Sequence, residues 1–267
     1  MYTTSLFDSS ESHRIIYHLG NFSVLEYDKD YSISPDHAQE VYFASLMNVK
    51  KRQLIINISG EEGAIVQAGA MQFLVGDIEA STNILGIDDL AKKIAGSIVT
   101  NETAVKPLFI GDGTIVLEPS FRYIILQDLN AWDNAMIIED GTFLACDTNV
   151  ELKVAGRKTL SSMVLGGEGL FNTALFGTGV VALESSVPME ELILVNLQED
   201  ELRIDGNMAV AWSHDLDFTV KKATKSLIGS TVSKEGFVNV YKGTGKVLIA
   251  PVRHNKGIST PEGDQKK

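Results

Sequence analysis

The chain has 267 residues, 23 Lys and Arg against 35 Asp and Glu, a formal net charge of −12 and 44% hydrophobic residues. That length and apolar content allow a sizeable core, while the acidic balance repels phosphate backbones and argues against a nucleic-acid groove. Cys146 is the only cysteine, which excludes an intramolecular disulfide or a thiolate metal cluster and suits a reducing compartment.

In chain order, residues 1–20 read as a polar N-terminal extension without a basic start followed by an apolar block, so no secretory leader is expected. No apolar run approaches the roughly 18 residues needed to cross a bilayer, so the expectation is a soluble or peripherally attached protein. Pro35 reads as a bend, and Lys50-Lys51-Arg52 as charge that protects a strand edge. Residues 53–58 read as a strand, as do 123–126, 192–197 and 246–250. A helix is expected over 87–95, where Ile87, Leu90 and Ile94 share one stripe. Asp88 and Asp89 lead it, Lys92 and Lys93 close it, and Gly96 stops it. Segments 157–165 and 224–230 are expected to form a turn or two of helix.

The phrases GDGTIVLEP at 111–119, GTGVVALES at 177–185 and GTGKVLIAP at 243–251 recur at a fixed interval of 66 residues, which marks one supersecondary unit written three times. Glu102, Glu168 and Glu235 precede the three phrases in matching positions, and Gly69, Gly141 and Gly206 open a further matching landmark. In the third copy Met208, Val210 and Trp212, then Leu216, Phe218 and Val220, alternate with other residues, as half-buried strands with one wet face do. Ser213-His214-Asp215 between them holds the letters of a catalytic triad, but neighbours on a strand point to opposite faces, so a bend is expected. The whole reads as all-β, three repeats with short helical connectors. Units of this size gain stability by burying apolar faces against one another, and three of them suit a pseudo-threefold axis. One compact domain is expected over 1–252, with 253–267 a disordered polar tail.

Each Gly-x-Gly leads into a strand and lacks the third glycine or Lys-Ser/Thr of phosphate loops, so glycine serves positive φ or close strand approach. His13, His18, His37, His214 and His254 show no metal-ligand spacing, and no metal is expected. Glu102, Glu168 and Glu235 would hold equivalent positions around a threefold axis, as a cation-binding ring or, preferentially, as structural acids in three separate turns. Trp132 and Trp212 read as core or interface anchors, and Cys146 as a buried, inert thiol. Met163, Leu165, Leu170 and Phe171 lie in an apolar, glycine-rich stretch, a candidate surface for a partner or for self-association.

Gly166-Gly167-Glu168-Gly169-Leu170-Phe171, Gly177-Thr178-Gly179, Asp205-Gly206-Asn207-Met208 and Gly243-Thr244-Gly245-Lys246-Val247 together resemble the AIM24 family. The resemblance runs from about Phe22 to Val252 and implies a triplicated β structure. That structure would be similar to the subunit of the tryptophan RNA-binding attenuation protein, classed with double-stranded β-helix folds. It implies no catalytic residues or cofactor. Eukaryotic relatives are linked to mitochondrial inner-membrane organisation, and some bacterial ones to envelope stress complexes.

The reading is therefore a non-enzymatic scaffold or interaction protein, in the cytoplasm or at the inner face of a membrane, open to homo-oligomerisation and peripheral membrane contact. The alternative is a small-ligand-binding or metal-dependent enzymatic β barrel. No nucleic acid, metal or cofactor is expected.

Overall fold

Short runs of Val, Ile and Leu bounded by Gly, Asp and Asn become strands throughout a computed structural model that describes residues 2–8, 10–60, 62–81, 106–156, 171–222 and 237–252. They are β1 (His13–Leu19), β2 (Phe22–Tyr27), β3 (Arg52–Ile58), β4 (Ala64–Val66), β5 (Met71–Ser81), β6 (Leu108–Leu117), β7 (Tyr123–Asp128) and β8 (Ala135–Ile138), then β9 (Phe143–Asp147), β10 (Val150–Gly156), β11 (Phe171–Gly177), β12 (Val180–Ser185), β13 (Ile193–Asp205), β14 (Ala209–Ser213), β15 (Asp217–Lys222) and β16 (Phe237–Ile249). Among the described residues one α-helix, α1 (Pro35–Leu46), joins β2 to β3.

The strands form two sheets, and all their pairings are antiparallel. The first runs β1-β2-β3-β6-β4-β9-β12-β7 with β5 also on β6, and the second runs β10-β11-β8-β14-β16-β13 with β15 also on β16. The first sheet curls until it nearly closes as a barrel. Arg52 on β3 and Ser120 just before β7 exchange both backbone hydrogen bonds, N to O at 2.7 and 2.9 Å.

Behind the strand count lies one unit repeated with constant register. The first copy spans β3 to β6, the second β7 to β12 and the third β13 to β16. Val116, Ala182 and Leu248, spaced by 66 residues, face Ile55, Leu126 and Leu194 on one side and Phe73, Ala145 and Ala211 on the other. A β-bulge interrupts the second of these ladders in all three copies, next to Phe73, Ala145 and Ala211. Such bulges raise local twist. Phe109, Leu175 and Tyr241 in turn face Ala64, Met136 and Leu202.

The Gly-x-Gly phrases mark the point where a hairpin arm passes into the inner strand. In β6 and β16 the strand continues through the phrase, so these are not turns, and only the second copy breaks there, between β11 and β12. Gly111, Gly177 and Gly243 have φ of 132°, 110° and 127°. A Cβ at the first two would run into the carbonyl oxygens of Asp77 and Asn149, which is why the phrase needs glycine.

Both faces of the inner strands are buried. Along β12, Val181 and Leu183 enter a core with Met136, Ile138 and Leu175, while Val180 and Ala182 enter another with Leu54, Ile56 and Ile115. The expected wet face on residues 208–213 is likewise absent, because Val210 and Ala211 pack into the first of these cores and Ala209 and Trp212 into a third with Leu216 and Tyr241. Alternation along β12 separates one core from the next rather than core from water, whereas in β14 the bulge between Ala209 and Ala211 puts Val210 in a different core from Met208 and Trp212, whose face it was expected to share. Beyond it, His214 and Asp215 are exposed and form the bend read from the sequence.

Units two and three set one sheet face on the unit before them: Leu126 and Ala182 join the core built largely by unit one, and Leu248 joins that of unit two. The corresponding face of unit one, Ile55 and Val116, is covered instead by Leu6 and Ile15 of the N-terminal extension and by Leu25 and Tyr27 of β2 behind it. Tyr2 reaches the same strand, its hydroxyl 2.6 Å from the Thr114 hydroxyl.

Pro35 begins a helix where a bend was expected. Ser34 stands at the N-cap, Pro35 at the first helical position and Asp36 in the first turn, all suited to a helix start. The helix expected over 87–95 and the shorter ones over 157–165 and 224–230 lie outside the described residues, as does the tail 253–267.

Candidate interaction surface

The strand order leaves two long edges. Among the described residues β5 pairs only with β6, and β13, thirteen residues long, pairs only with β16 and ends the second sheet. Inside the chain, strands corresponding to these edges are paired. β4 of unit one pairs with β9 of unit two, Val66 opposite Ala145 and Ile65 opposite Cys146. β8 of unit two pairs with β14 of unit three in the same register, Ile138 opposite Ala211 and Ile137 opposite Trp212. The strands that would form the third such seam are the Asp200–Asp205 half of β13 and the Met71–Val75 half of β5, and among the described residues no ladder joins them.

Burial follows this pairing. Phe73 is 42% exposed, whereas its counterparts Ala145 and Ala211 are fully buried. Met71 is also exposed, and its counterparts Phe143 and Ala209 are buried. On β13, Leu194 is 50% exposed where its counterparts Ile55 and Leu126 are buried, and Ile193 beside it is exposed too. Large apolar side chains held in water on unpaired strands are the usual marks of an association surface. Tyr42, Phe43, Leu46 and Met47 of α1 and its C-cap form a further exposed apolar group, and no residue of the helix is buried.

Charge gathers where the extension meets the body. Arg52 is 2% exposed and its Nη2 lies 2.8 Å from Glu26 Oε2. It also donates to the Asn48 carbonyl at 3.0 Å and lies 4.0 Å from the Tyr123 ring centre. Above it, Asp28 accepts hydrogen bonds from Arg14 at 2.8 Å and Lys50 at 2.7 Å. These hydrogen bonds, Arg14 first, hold the Asp28 carboxyl below the usual carboxylate range, and Asp28 in turn raises Lys50. Lys51 pairs with Asp30. The basic run thus anchors the extension rather than guarding an open edge.

Other polar features lie apart. Asp147 accepts the Val180 backbone N–H at 2.7 Å, yet burial pushes its carboxyl up. Burial also pushes the Cys146 thiol well up. A depression of about 300 Å³ beside the β5–β6 hairpin is lined by Asp77, Glu79, Ser81, Leu108, Ile110 and Gly111. Among the described residues no group of three or more His, Cys, Asp or Glu side chains could hold a metal ion.

The family model for mitochondrial biogenesis protein AIM24 matches residues 44–252. The chain belongs to the AIM24 family. In this AIM24 protein the matched stretch holds all three units, whereas β1, β2 and most of α1 precede it. The crystal structure of protein SPYM3_0169 from Streptococcus pyogenes is similar in fold, with a TM-score of 0.56 and 24% sequence identity over 77% of this chain and 89% of that one. No curated protein matches.

Of the residues singled out in the sequence, Glu102, Glu168, Glu235, Met163, Leu165 and Leu170 lie outside the described residues. Phe171 opens β11 with its backbone opposite Gly156. Trp132 and Trp212 are core residues. Trp132 Nε1 donates to Gln127 Oε1 at 3.1 Å, and Trp212 packs against Phe218 and Tyr241 at 5.4 and 5.3 Å between ring centres. His214 packs edge-on against Phe176 at 4.8 Å between ring centres, and its Nδ1 lies 3.3 Å from the exposed Asp215 carboxylate, while Ser213 Oγ accepts the Lys246 backbone N–H at 2.9 Å. Sequence reasoning missed Met71, Phe73, Ile193 and Leu194. A signal was present only at Phe73, a bulky residue where the later copies carry Ala145 and Ala211.

Proposed function

We propose that this AIM24 protein is a non-enzymatic interaction scaffold that binds through its unpaired strand edges. The observation that carries this reading is the exposure of Phe73 and Met71 at positions the other two units bury. Strand edges of this kind recruit partners by extending the sheet, with main-chain hydrogen bonds supplying affinity and adjacent side chains specificity. The constant register of the three units supports a TRAP-like relation about a pseudo-threefold axis, with its third seam open. The aliphatic filling between the sheets supports a scaffold over a ligand-binding barrel. Action in a membrane- or envelope-associated complex, from the cytoplasmic side, comes with the family resemblance and belongs to the same proposal.

The test is a photo-crosslinking amino acid placed at Phe73 and, as a control, at exposed Ala131. In an extract of the source cells the Phe73 variant is expected to form discrete covalent adducts well above those of the control. Equal, diffuse labelling at both positions would overturn the reading.

A further inference from the structure

The two open edges of this molecule are complementary to each other, and the chain contains two worked examples of how they join. Each internal seam sets the strand before the Gly69-type landmark of one unit against the strand after that landmark in the next unit, always antiparallel and always in one register. Among the described residues unit three presents the first kind of strand and unit one the second kind, each with no ladder on that side. Resting on the scaffold reading above, we infer that the partner at this surface is a second copy of the same chain. The Asp200–Asp205 half of β13 in one molecule pairs with the Met71–Val75 half of β5 in the next.

The internal seams fix the residues that meet. Ile204 corresponds to Ile138, since both lie opposite residues spaced by 66, Asn239 and Thr173. Phe73 corresponds to Ala211, which Ile138 faces. Ile204 therefore faces Phe73 between copies, Arg203 faces Leu74 and Leu202 faces Val75. Phe73 then gains the apolar neighbour it lacks.

Charge selects this pairing over that of two β13 edges. The β13 half carries Asp200, Glu201, Arg203 and Asp205, whereas Met71-Gln72-Phe73-Leu74-Val75 carries no charge. Two β13 edges meeting antiparallel would bring several acids of one sign close together, which is destabilising. β13 against β5 meets no such opposition. The contact joins unlike surfaces, so it is heterologous, and it closes into a ring or extends as a filament according to the rotation between copies.

The experiment uses two full-length variants, Leu74→Cys and Arg203→Cys, with Cys146 left in place because it is fully buried. Directly opposed strand residues lie within the span a disulfide bridges. After mild oxidation, the mixed variants are expected to give a disulfide-linked dimer at least tenfold above either variant alone. Urea midpoints matching the unaltered protein show that both variants fold. Phe73→Cys with Ile204→Cys gives an independent second pair, and Phe73→Asp, on an exposed position, is expected to lower the sedimentation-average mass of the native protein. Equal dimer in single and mixed samples overturns the heterologous pairing. A double variant that closes only an intrachain disulfide shows that the chain seals its own seam and also overturns it. Adducts at Phe73 to other proteins without any mixed dimer would leave the scaffold reading standing and remove the second copy as its partner.

Discussion

Phe73 and Ala211 hold the same register position in two copies of one unit, opposite Val116 and Leu248, yet Phe73 keeps 42% of its surface exposed and Ala211 keeps none. The same place in the repeat is therefore a packed seam in unit three and an open edge in unit one. Phe73→Ala is expected to change the stability of the dilute protein by less than about 1 kcal/mol, as exposed substitutions do. Ala211→Phe, which puts the same ring into the sealed seam, is expected to cost at least ~1–3 kcal/mol by overpacking. Urea denaturation of both variants checks the contrast.

Arg52 ties the extension to the barrel through Glu26, Asn48 and Tyr123 at once. Arg52→Ala removes the nearest cation from the buried Glu26 carboxylate but leaves Lys50 at 3.2 Å and Arg14 at 3.5 Å, and is expected to cost about 1–3 kcal/mol. Replacing both members, Arg52→Met with Glu26→Leu, is expected to recover most of that loss, because the desolvation of two charges disappears with them. Thermal unfolding of the single and double variants reads the difference.

Much of the architecture was legible because duplication writes it twice more. The 66-residue interval, the strands around residues 53–58 and 246–250, and the bend at His214 follow from apolar runs and glycine spacing. Three things were not legible. The spacing of Met208, Val210 and Trp212 reads as one face beside a wet one, and shows neither the bulge that sends Val210 to a different core from Trp212 nor the core that meets the second face. Pro35 read as a bend opens a helix, since its fixed φ also suits the first helical position and Asp36 follows in the first turn. The open edge was hidden for a related reason. Phe73 looks like a core residue, and its exposure depends on which strand lies beside β5.

Acid stability should depend on Asp28. Its carboxyl titrates below the usual range in the folded protein because Arg14 and then Lys50 hydrogen-bond to it. A depressed carboxylate contributes stability that is present above the unfolded value of about 4 and is lost as pH falls through the lower folded value. Asp147 has the opposite sign. Its raised folded pKa gives a contribution present below about pH 4 and lost as pH rises through the folded value. Asp28→Asn is accordingly expected to flatten the fall in unfolding free energy below about pH 4, and Asp147→Asn to relieve a cost at neutral pH. Urea midpoints from pH 2.5 to 7 measure both.

Cys146 should be silent in the native state. It is fully buried between Ile65 on β4 and Val181 on β12, and burial raises its thiol well above the ordinary value. A thiolate is the reactive species, so a soluble disulfide reagent is expected to modify it only through unfolding. The rate should therefore rise with urea in step with the unfolded fraction. Rapid labelling in native buffer would contradict the seam between β4 and β9.

The most direct measurement is hydrogen–deuterium exchange of the intact protein at low and high concentration, followed at residues 71–75 and 200–205. Association through these edges predicts slow exchange in both segments at high concentration and fast exchange in both on dilution. The paired seams at residues 143–147 and 209–213 should not change. Rates in the two edge segments that are independent of concentration would contradict the account.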